Sequence, residues 1–232
     1  MIDILYIKGR KSVNDDLEIR YSLRSVSKFV KDKGRIFITG DCPDSIKNII
    51  YTPADDIGCR TINHWWKVKQ TILSTDISEN FVLMYDDIFF IKEVELSNYP
   101  YYNRGLIKDH KTGTASYIEN LKEAQRVLAK MNKPMVDYTL HIPCIYNREK
   151  FLQMDFYEEY LNKPIAPSVR CMYGNLNFEN TPYREDLKIR SKSDKIGDVD
   201  CFSTADDTFN NVLPMLKGLF PKECEYENRI LY

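Results

Sequence analysis

The sequence predicts an α/β fold built on one mostly parallel sheet, and two observations carry this prediction. Short apolar segments rich in β-forming residues alternate with longer segments whose apolar residues recur at helical spacing. Such alternation is typical of a parallel sheet that helices cover on both faces. The chain has 232 residues, 43% of them hydrophobic, and can therefore bury one substantial core. We expect a single domain over residues 1–232.

The first half of the chain holds the most regular pattern. We predict strands at residues 2–7, 35–39, 48–51 and 81–84, each short, apolar and followed by polar or turn-forming residues. Helices are predicted at residues 16–30, with Asn14 or Asp15 as the N-cap, and at residues 60–73. The first strand runs into a polar loop at residues 8–12. Ligands often bind at the carboxyl ends of such strands, so we expect a site beside this loop.

The second half is less regular. We predict helices at residues 117–131, 148–161 and 207–219, and a strand within residues 138–146. Residues 168–178 have strand character around Gly174, and residues 188–195 form a charged, solvated stretch. No internal repeat or low-complexity linker interrupts the sequence. Any division near residue 100 would therefore separate two halves of one domain.

Composition narrows the choice of partners and compartment. The 33 basic residues nearly balance the 34 acidic ones, so the overall charge does not call for a nucleic acid or an anionic membrane as partner. Six cysteines lie far apart without a CxxC pair, and nothing resembles a signal peptide. No apolar run approaches the ~20 residues that span a bilayer. We expect a cytoplasmic protein with reduced thiols and no transmembrane segment.

Asp86 and Asp87 are the strongest candidates for chemistry. They interrupt an apolar run that begins at residue 81 and resumes at residue 88. Two carboxylates at the end of a buried strand repel each other unless a positive group lies beside them. Mg²⁺ or Mn²⁺ would supply that charge and keep coordination positions open for phosphate. The alternative is a solvated turn, which an isolated pair of aspartates often forms.

Motifs of several other enzyme classes are absent from the sequence. It has no GxxxxGK[ST] phosphate loop, GxGxxG fingerprint, HExxH zinc motif or GxSxG elbow. These absences weaken the interpretation of the chain as a P-loop kinase, a dinucleotide oxidoreductase, a zinc protease or a serine hydrolase.

Three segments of the first hundred residues resemble sequence blocks of Stealth-type proteins. Residues 18–26 (EIRYSLRSV) are similar to the ELRYSLRS block, residues 34–40 (GRIFITG) to RIYIVTDG, and residues 81–90 (FVLMYDDIFF) to FIYFNDDVF. Stealth-type proteins are capsular polysaccharide and lysosomal-tag sugar-phosphate transferases that use nucleotide-activated sugars. The resemblance implies a GT-A-like core with a mostly parallel, mixed sheet. It also implies a nucleotide-sugar half at residues 1–100 and an acceptor half at residues 101–232.

The resemblance assigns roles to residues of the first half. Asp86 and Asp87 take the metal position, and we place Tyr85 beside them in the donor site. Arg20 and Arg24 match the two arginines of the first block. Because they lie four residues apart on one helical face, they either contact the donor diphosphate together or pair with acidic residues of the fold.

Further candidates lie on the predicted helix at residues 60–73 and in the second half. Stealth-type proteins have an asparagine-bearing helix that helps to form the donor site, which implies donor contacts for Asn63 and Lys67; Lys67 could instead lie on a solvated face. His141 resembles a histidine of a later block, and it is either a metal ligand, an acid-base catalyst or a hydrogen-bonded core residue. From position alone, Arg170 and Asn175 are placed at the acceptor pocket.

Asp206 and Asp207 open the last predicted helix. They either cap that helix, where negative charge is favourable, or supply a general base that deprotonates an acceptor hydroxyl.

Together these observations predict a glycosyltransferase that uses Mn²⁺ or Mg²⁺ and a nucleotide-sugar donor. The TWVDGSD block that opens Stealth-type proteins is replaced by residues 6–12 (YIKGRKS), which lack its acidic residue, so we favour glycosyl transfer over sugar-phosphate transfer. The compact chain is also similar to small transferases of phages and of bacterial surface-glycan clusters. The acceptor would be a glycan or a hydroxymethylated base of phage DNA. A non-enzymatic binding module on the same fold is a further alternative.

Overall fold

The computed structural model describes residues 1–9 and 13–228, and a five-stranded sheet forms its centre. The chain contributes eight strands in the described part: β1 (Ile2–Lys8), β2 (Lys33–Gly40), β3 (Ile50–Pro53), β4 (Asn80–Tyr85), β5 (Ile88–Phe90), β6 (Cys144–Asn147), β7 (Lys188–Ile189) and β8 (Cys201–Thr204). The central sheet has the order β3, β2, β1, β4, β6. Its first four strands are parallel, and β6 runs antiparallel to β4. A second sheet has the order β5, β8, β7.

Helices follow or separate the strands. Those of the described residues are α1 (Leu17–Phe29), α2 (Arg60–Ser74), α3 (Ala115–Lys130), α4 (Arg148–Leu152), α5 (Val169–Asn177) and α6 (Phe209–Leu219). Short 3₁₀ helices lie at Leu96–Asn98, Ile107–Asp109 and Asp155–Tyr160. Across residues 1–9 and 13–228, no helix combines the length and apolar character needed to cross a membrane.

The central sheet is covered on both faces because successive side chains of a strand point to opposite sides. Tyr6 and Met84 pack with α1 on one face. Leu5 and Leu83, the neighbours of these residues in the chain, pack with α2, α3 and α5 on the other face. The predicted fold class, a mostly parallel mixed sheet between two layers of helices, is confirmed.

The second sheet has a core of its own with α6. Phe89 of β5 and Phe202 of β8 are directly paired across the strands, and both pack against Phe209 at the start of α6. β4 and β5 are separated only by Asp86 and Asp87. The acidic pair therefore lies at the turn where the chain leaves the central sheet for the smaller one.

Helix α5 (Val169–Asn177) occupies nearly all of residues 168–178, so the predicted strand character is wrong there. Ser168 caps the helix by accepting a hydrogen bond from the backbone N–H of Cys171. Val169, Met172 and Tyr173 recur at helical spacing and are buried. A Cβ on Gly174 would lie 2.2 Å from the Tyr138 ring, so Gly174 permits close packing and does not mark a strand.

Several boundaries also differ from the sequence prediction. The third strand is displaced to Ile50–Pro53, and the predicted helix at residues 148–161 divides into α4 and a 3₁₀ helix. His141 precedes β6 and does not lie inside a strand. The last helix begins at Phe209 with Thr208 as its N-cap residue, so Asp206 and Asp207 do not cap it. Residues 10–12 of the predicted loop after β1 lie outside the described residues.

Candidate active site

A cavity of about 680 Å³ opens at the carboxyl ends of β1 and β4. These two strands are parallel neighbours, with Ile7 opposite Tyr85, so the loops that follow them meet at one edge of the sheet. The first turns of α2, α3 and α5 complete the wall, together with the loop before β6. This is the edge at which open α/β sheets generally bind ligands.

One end of the cavity carries four acidic residues, Glu18, Asp86, Asp87 and Asp206, which we call the acidic end. Burial and then the charge of Asp87 raise the pKa of Asp86 to about 7. Burial and then the charge of Asp86 raise the pKa of Glu18 to about 7. Asp206 adds to the repulsion that both carboxyl groups experience. The acidic end is therefore short of positive charge.

Asp87 has one satisfied and one unsatisfied carboxylate oxygen. Oδ2 lies 2.9 Å from Nζ of Lys188. Lys188 belongs to β7 and forms this ion pair, so the prediction of a solvated stretch is wrong at this residue. Oδ1 is buried and has no hydrogen-bond partner among the described residues, as is also true of Oε1 of Glu18. A buried carboxylate oxygen without a partner costs free energy unless a ligand satisfies it.

The acidic end fits a hard divalent cation that takes only part of its shell from protein. In the described part of the chain, no three His, Cys, Asp or Glu side chains form a ready-made metal group. Mg²⁺ commonly binds through one or two carboxylates and fills its other positions with water and substrate phosphate. The free oxygen of Asp87 and the carboxyl of Asp86 match that donor set.

His141 lines the same cavity and is oriented by Asp186. Its Nδ1 lies 3.0 and 3.1 Å from the two carboxylate oxygens of Asp186, and its backbone N–H donates to Oδ1 of that residue at 2.9 Å. Burial lowers the pKa of His141, although Asp186 opposes this shift. A neutral imidazole that donates from Nδ1 keeps a lone pair on Nε2, as a base or a metal ligand requires.

Asn63, Lys67 and Tyr85 all line the cavity, but all three already have protein partners, which for the Tyr85 hydroxyl is His64. Oδ1 of Asn63 accepts hydrogen bonds from the backbone N–H groups of residues 57 and 58 at 2.8 and 2.9 Å. Nζ of Lys67 lies 2.8 Å from Oδ1 of Asp56. Both side chains therefore shape the cavity wall.

Arg20 and Arg24 do not line the cavity, and their assignment to the donor site is wrong. Nε of Arg20 lies 2.7 Å from one oxygen of the buried Glu227, and Nε of Arg24 lies 2.6 Å from the other. Arg24 adds a second hydrogen bond to Glu227 at 2.7 Å from Nη2. Of the two predicted alternatives, pairing within the fold is the one found. We call Arg20, Arg24 and Glu227 the clamp.

Only one residue of each candidate pair, Asp206 with Asp207 and Arg170 with Asn175, lines the cavity. Both aspartates are exposed, but Asp206 lines the cavity and Asp207 lies outside its lining, so Asp207 is not placed to act as the base. Arg170 lines the cavity as expected. The side-chain amide of Asn175 instead forms two hydrogen bonds with the backbone of residue 136, of 2.9 and 2.8 Å, and so has a structural role.

Four residues of this site were missed or given little weight by the sequence analysis: Glu18, His64, Asp186 and Lys188. Glu18 stood within the recognised EIRYSLRS segment, and its place in the first turn of the helix after β1 was a usable signal. His64 lies next to Asn63 on the helix already assigned to the donor site, and that position was a usable signal too. Asp186 and Lys188 carry no local sequence signal. They reach the site only through packing between segments that are far apart in the chain.

The comparisons with known proteins concern the fold. The galactosyltransferase LgtC, solved in complex with donor and acceptor sugar analogs, aligns with a TM-score of 0.54 and 10% identity over 97% of this chain and 98% of LgtC. An active-site mutant of LgtC aligns with the same TM-score and coverage at 8% identity. The apo form of mouse xyloside xylosyltransferase 1 aligns with a TM-score of 0.41 and 8% identity over 98% of this chain and 96% of that one.

No protein-family model matches the sequence, and no curated protein matches it. The resemblance to Stealth-type proteins in particular is therefore not shown. At identities of 8–10%, the likeness to LgtC shows the fold alone. The chain accordingly has a GT-A-like glycosyltransferase fold.

Proposed function

We propose that this protein is a metal-dependent glycosyltransferase that moves a sugar from a nucleotide-sugar donor to an acceptor hydroxyl. The observation that carries the proposal is the acidic pair at the end of β4, where Asp87 lines the cavity and has a buried carboxylate oxygen without a hydrogen-bond partner among the described residues. A pair of crowded carboxylates is unfavourable in the free protein and favourable once a cation is bound. The glycosyltransferase fold and the donor and acceptor analogs bound by LgtC support this interpretation.

In this proposal Asp86 and Asp87 hold Mn²⁺ or Mg²⁺. When bound, the ion would neutralise the nucleotide diphosphate and so favour its departure. Lys188 fixes the orientation of Asp87 by binding Oδ2, which leaves Oδ1 for the cation. Lys8 is buried beside Asp86 and lies 2.7 Å from Asp16, so it adds a fixed positive charge near the diphosphate.

We propose His141 as the group that takes the proton from the acceptor hydroxyl if the reaction inverts the sugar. Asp186 holds Nδ1 and thereby keeps Nε2 unprotonated. His141 as a further metal ligand is the alternative role for the same nitrogen. Asp206 is a second candidate base, but its place within the acidic end makes it a better neighbour for the cation.

The two halves of the chain would divide the substrates. Residues 1–100 supply Glu18, Asp86 and Asp87 of the acidic end and would bind the donor. Residues 101–232 supply Asp206, His141 and the first turns of α3 and α5 and would bind the acceptor. Sugar-phosphate transfer would use the same cation and differ in the atom attacked, phosphorus in place of carbon. Analysis of the product for a retained phosphate separates the two reactions.

The test is thermal melting of the protein with nucleoside diphosphates, with and without Mn²⁺. We expect one nucleotide to raise the melting temperature only when the metal is present, and Asp87→Asn to lose that rise. Asp76→Asn is the matched control, because Asp76 is exposed and pairs with Arg35 away from the cavity. A rise that is indifferent to the metal or to Asp87→Asn would contradict the proposed metal site.

A further inference from the structure

The cavity contains a buried cation that the proposed donor site does not use. Arg170, in the first turn of α5, is 5% exposed. Its guanidinium carbon lies 4.6 Å from the centre of the Tyr85 ring, and Nη2 donates to the carbonyl of Ile142 at 3.3 Å. Nε is buried and has no hydrogen-bond partner among the described residues. A guanidinium has five donors, and this one uses few of them.

No carboxylate compensates Arg170 within residues 1–9 and 13–228. The groups whose charge it feels most are Cys144 and the hydroxyls of Tyr85, Tyr146 and Tyr101. Burial raises the pKa of each of these three tyrosines, so the phenols are neutral near pH 7. Arg170 is therefore a buried positive charge among neutral phenols and without a paired carboxylate in the described chain, which is unfavourable in the free protein.

Unlike Arg170, the lysines of the cavity wall are each paired with a carboxylate. Lys8 lies 2.7 Å from Asp16, Lys67 lies 2.8 Å from Asp56, and Lys188 lies 2.9 Å from Asp87. In the described lining, Arg170 and its exposed neighbour Arg60 are the cationic side chains without such a partner. The fold thus pairs its lysines and leaves two arginines facing the cavity unpaired.

His64 adds a second unsatisfied donor beside Arg170. Its Nδ1 lies 3.1 Å from the hydroxyl of Tyr85, and Nε2 is buried without a partner among the described residues. Burial, and then the charges of Arg170 and Arg60, lower the pKa of His64 to about 3, so the ring is neutral. We assign Nδ1 as the acceptor of the Tyr85 hydroxyl, which places the ring proton on Nε2. We call Arg60, His64 and Arg170 the cationic end.

We propose that the cationic end binds a negatively charged group, a carboxylate or a phosphate, on the acceptor sugar. This inference rests on the proposed function and names the class of its acceptor. The donor diphosphate has its own counter-charge in the cation at Asp86 and Asp87, so it does not need Arg170. Arg170 belongs to α5, in the half of the chain to which we assign the acceptor, whereas Arg60 and His64 belong to α2, in the other half. The assignment to the acceptor follows Arg170, because its charge is the buried one, and Arg suits fork-like binding of either anion.

The experiment compares the native protein with Arg170→Met and Arg60→Met by thermal melting in inorganic phosphate and in D-glucuronate. D-glucose is the uncharged reference. Sodium chloride at the ionic strength of the anion solutions is the salt reference. Without anion we expect Arg170→Met to melt about 2–4 °C above the native protein, because it removes an unpaired buried charge. We expect both anions to stabilise the native protein and Arg170→Met to lose that response.

Two further variants control this comparison. Arg60→Met alters an exposed residue, so it should fold normally and weaken the response to anions severalfold. Lys122→Met removes an exposed cation of α3 that pairs with Glu119 outside the cavity, and it should respond as the native protein does. The response of Arg60→Met decides the matter if Arg170→Met does not fold.

Each other result overturns part of the proposal. If neither anion stabilises the native protein, or if the Arg170 and Arg60 variants respond fully, the cationic end binds no anion. If Arg170→Met loses much stability and Arg60→Met keeps the full anion response, Arg170 has a structural role and does not bind an anion. If Arg170→Met also loses the Mn²⁺-dependent nucleotide response, the anion belongs to the donor. Asp87→Asn tests the metal site separately, because the anion response needs no metal.

Discussion

The clamp and the cationic end both bury arginine, and they treat its charge in opposite ways. In the clamp, Arg20 and Arg24 share one buried carboxylate through hydrogen bonds of 2.6 to 2.7 Å. At the cationic end, Arg170 meets aromatic rings and a backbone carbonyl but no carboxylate of the described chain. A buried arginine therefore indicates a binding site only where the fold leaves its charge uncompensated.

The largest expected effect is the loss of the clamp. Glu227→Gln keeps the shape of the side chain and removes its charge, which leaves two buried guanidinium groups without a carboxylate between them. We expect the free energy of unfolding to fall by about 3–5 kcal/mol, measured by chemical denaturation. Glu225→Gln is the control, because Glu225 is half-exposed and its change should cost less than about 1 kcal/mol.

A small effect of Glu227→Gln would remove the contrast, since the clamp would then be no better compensated than the cationic end. Substrate turnover by the folded fraction should stay near the native value. The clamp lies outside the cavity lining.

The next effect concerns catalysis at the cavity. His141→Asn removes the proposed base, and we expect the rate of sugar transfer to fall by roughly 10²-fold with little change in stability. The control is His110→Asn, because His110 forms the other buried pair with an aspartate, 2.8 Å from Asp137, outside the cavity lining. Equal losses in both variants, measured per folded molecule, would argue against a direct role for His141.

A smaller effect is expected at the acidic end, where the uncompensated charge is negative, whereas that of Arg170 is positive. Glu18→Gln removes one of four crowded carboxylates, so we expect the metal-free protein to gain about 1 kcal/mol of stability. The Mn²⁺ concentration that gives half the nucleotide response should rise severalfold. Glu119→Gln, on the exposed face of α3, should change neither quantity. A loss of stability in Glu18→Gln would show that its carboxylate is already satisfied.

The smallest effect is a change in how stability depends on pH. Burial alone would raise the pKa of Glu227, but hydrogen bonds from Arg24 and Arg20 bring it below the usual 4.5. The folded pKa lies below the unfolded one, so this stabilisation is complete above about pH 4.5 and disappears as the pH falls through the folded value. One carboxyl contributes at most about 1.4 kcal/mol per pH unit. Denaturation midpoints of the native protein should therefore fall more steeply below pH 4.5 than those of Glu227→Gln.

Local patterns in the sequence were sufficient for most of the central sheet. Apolar spacing predicts strands β1, β2 and β4 and helices α1 and α2. The reason is that these strands are buried along at least half of their length and these helices bury one apolar face. The acidic pair was recognisable because it breaks an apolar run. The pattern failed at α5, where apolar residues are dense enough to suit either a strand or a buried helix, and Gly174 favoured the wrong choice.

The partners of the charged residues could not be predicted from the sequence. Arg20 and Arg170 are the same residue type, and nothing local distinguishes them. Glu227 reaches Arg20 across 207 residues of chain, and Asp186 reaches His141 across 45. Such pairs are decided by how distant segments pack, which no periodicity records.

The turn at Asp86 and Asp87 has a consequence for how the molecule folds. β4 on one side of the turn pairs with β1 in the parallel part of the central sheet, where Phe81 lies opposite Asp3, 78 residues earlier in the chain. β5 on the other side pairs with β8, where Phe89 lies opposite Phe202, 113 residues later. Contacts between such distant segments require closure of a long loop and tend to form late. The central sheet can therefore assemble while the acidic pair still lacks its final geometry. The proposed metal site would then be one of the last features that the newly folded protein acquires.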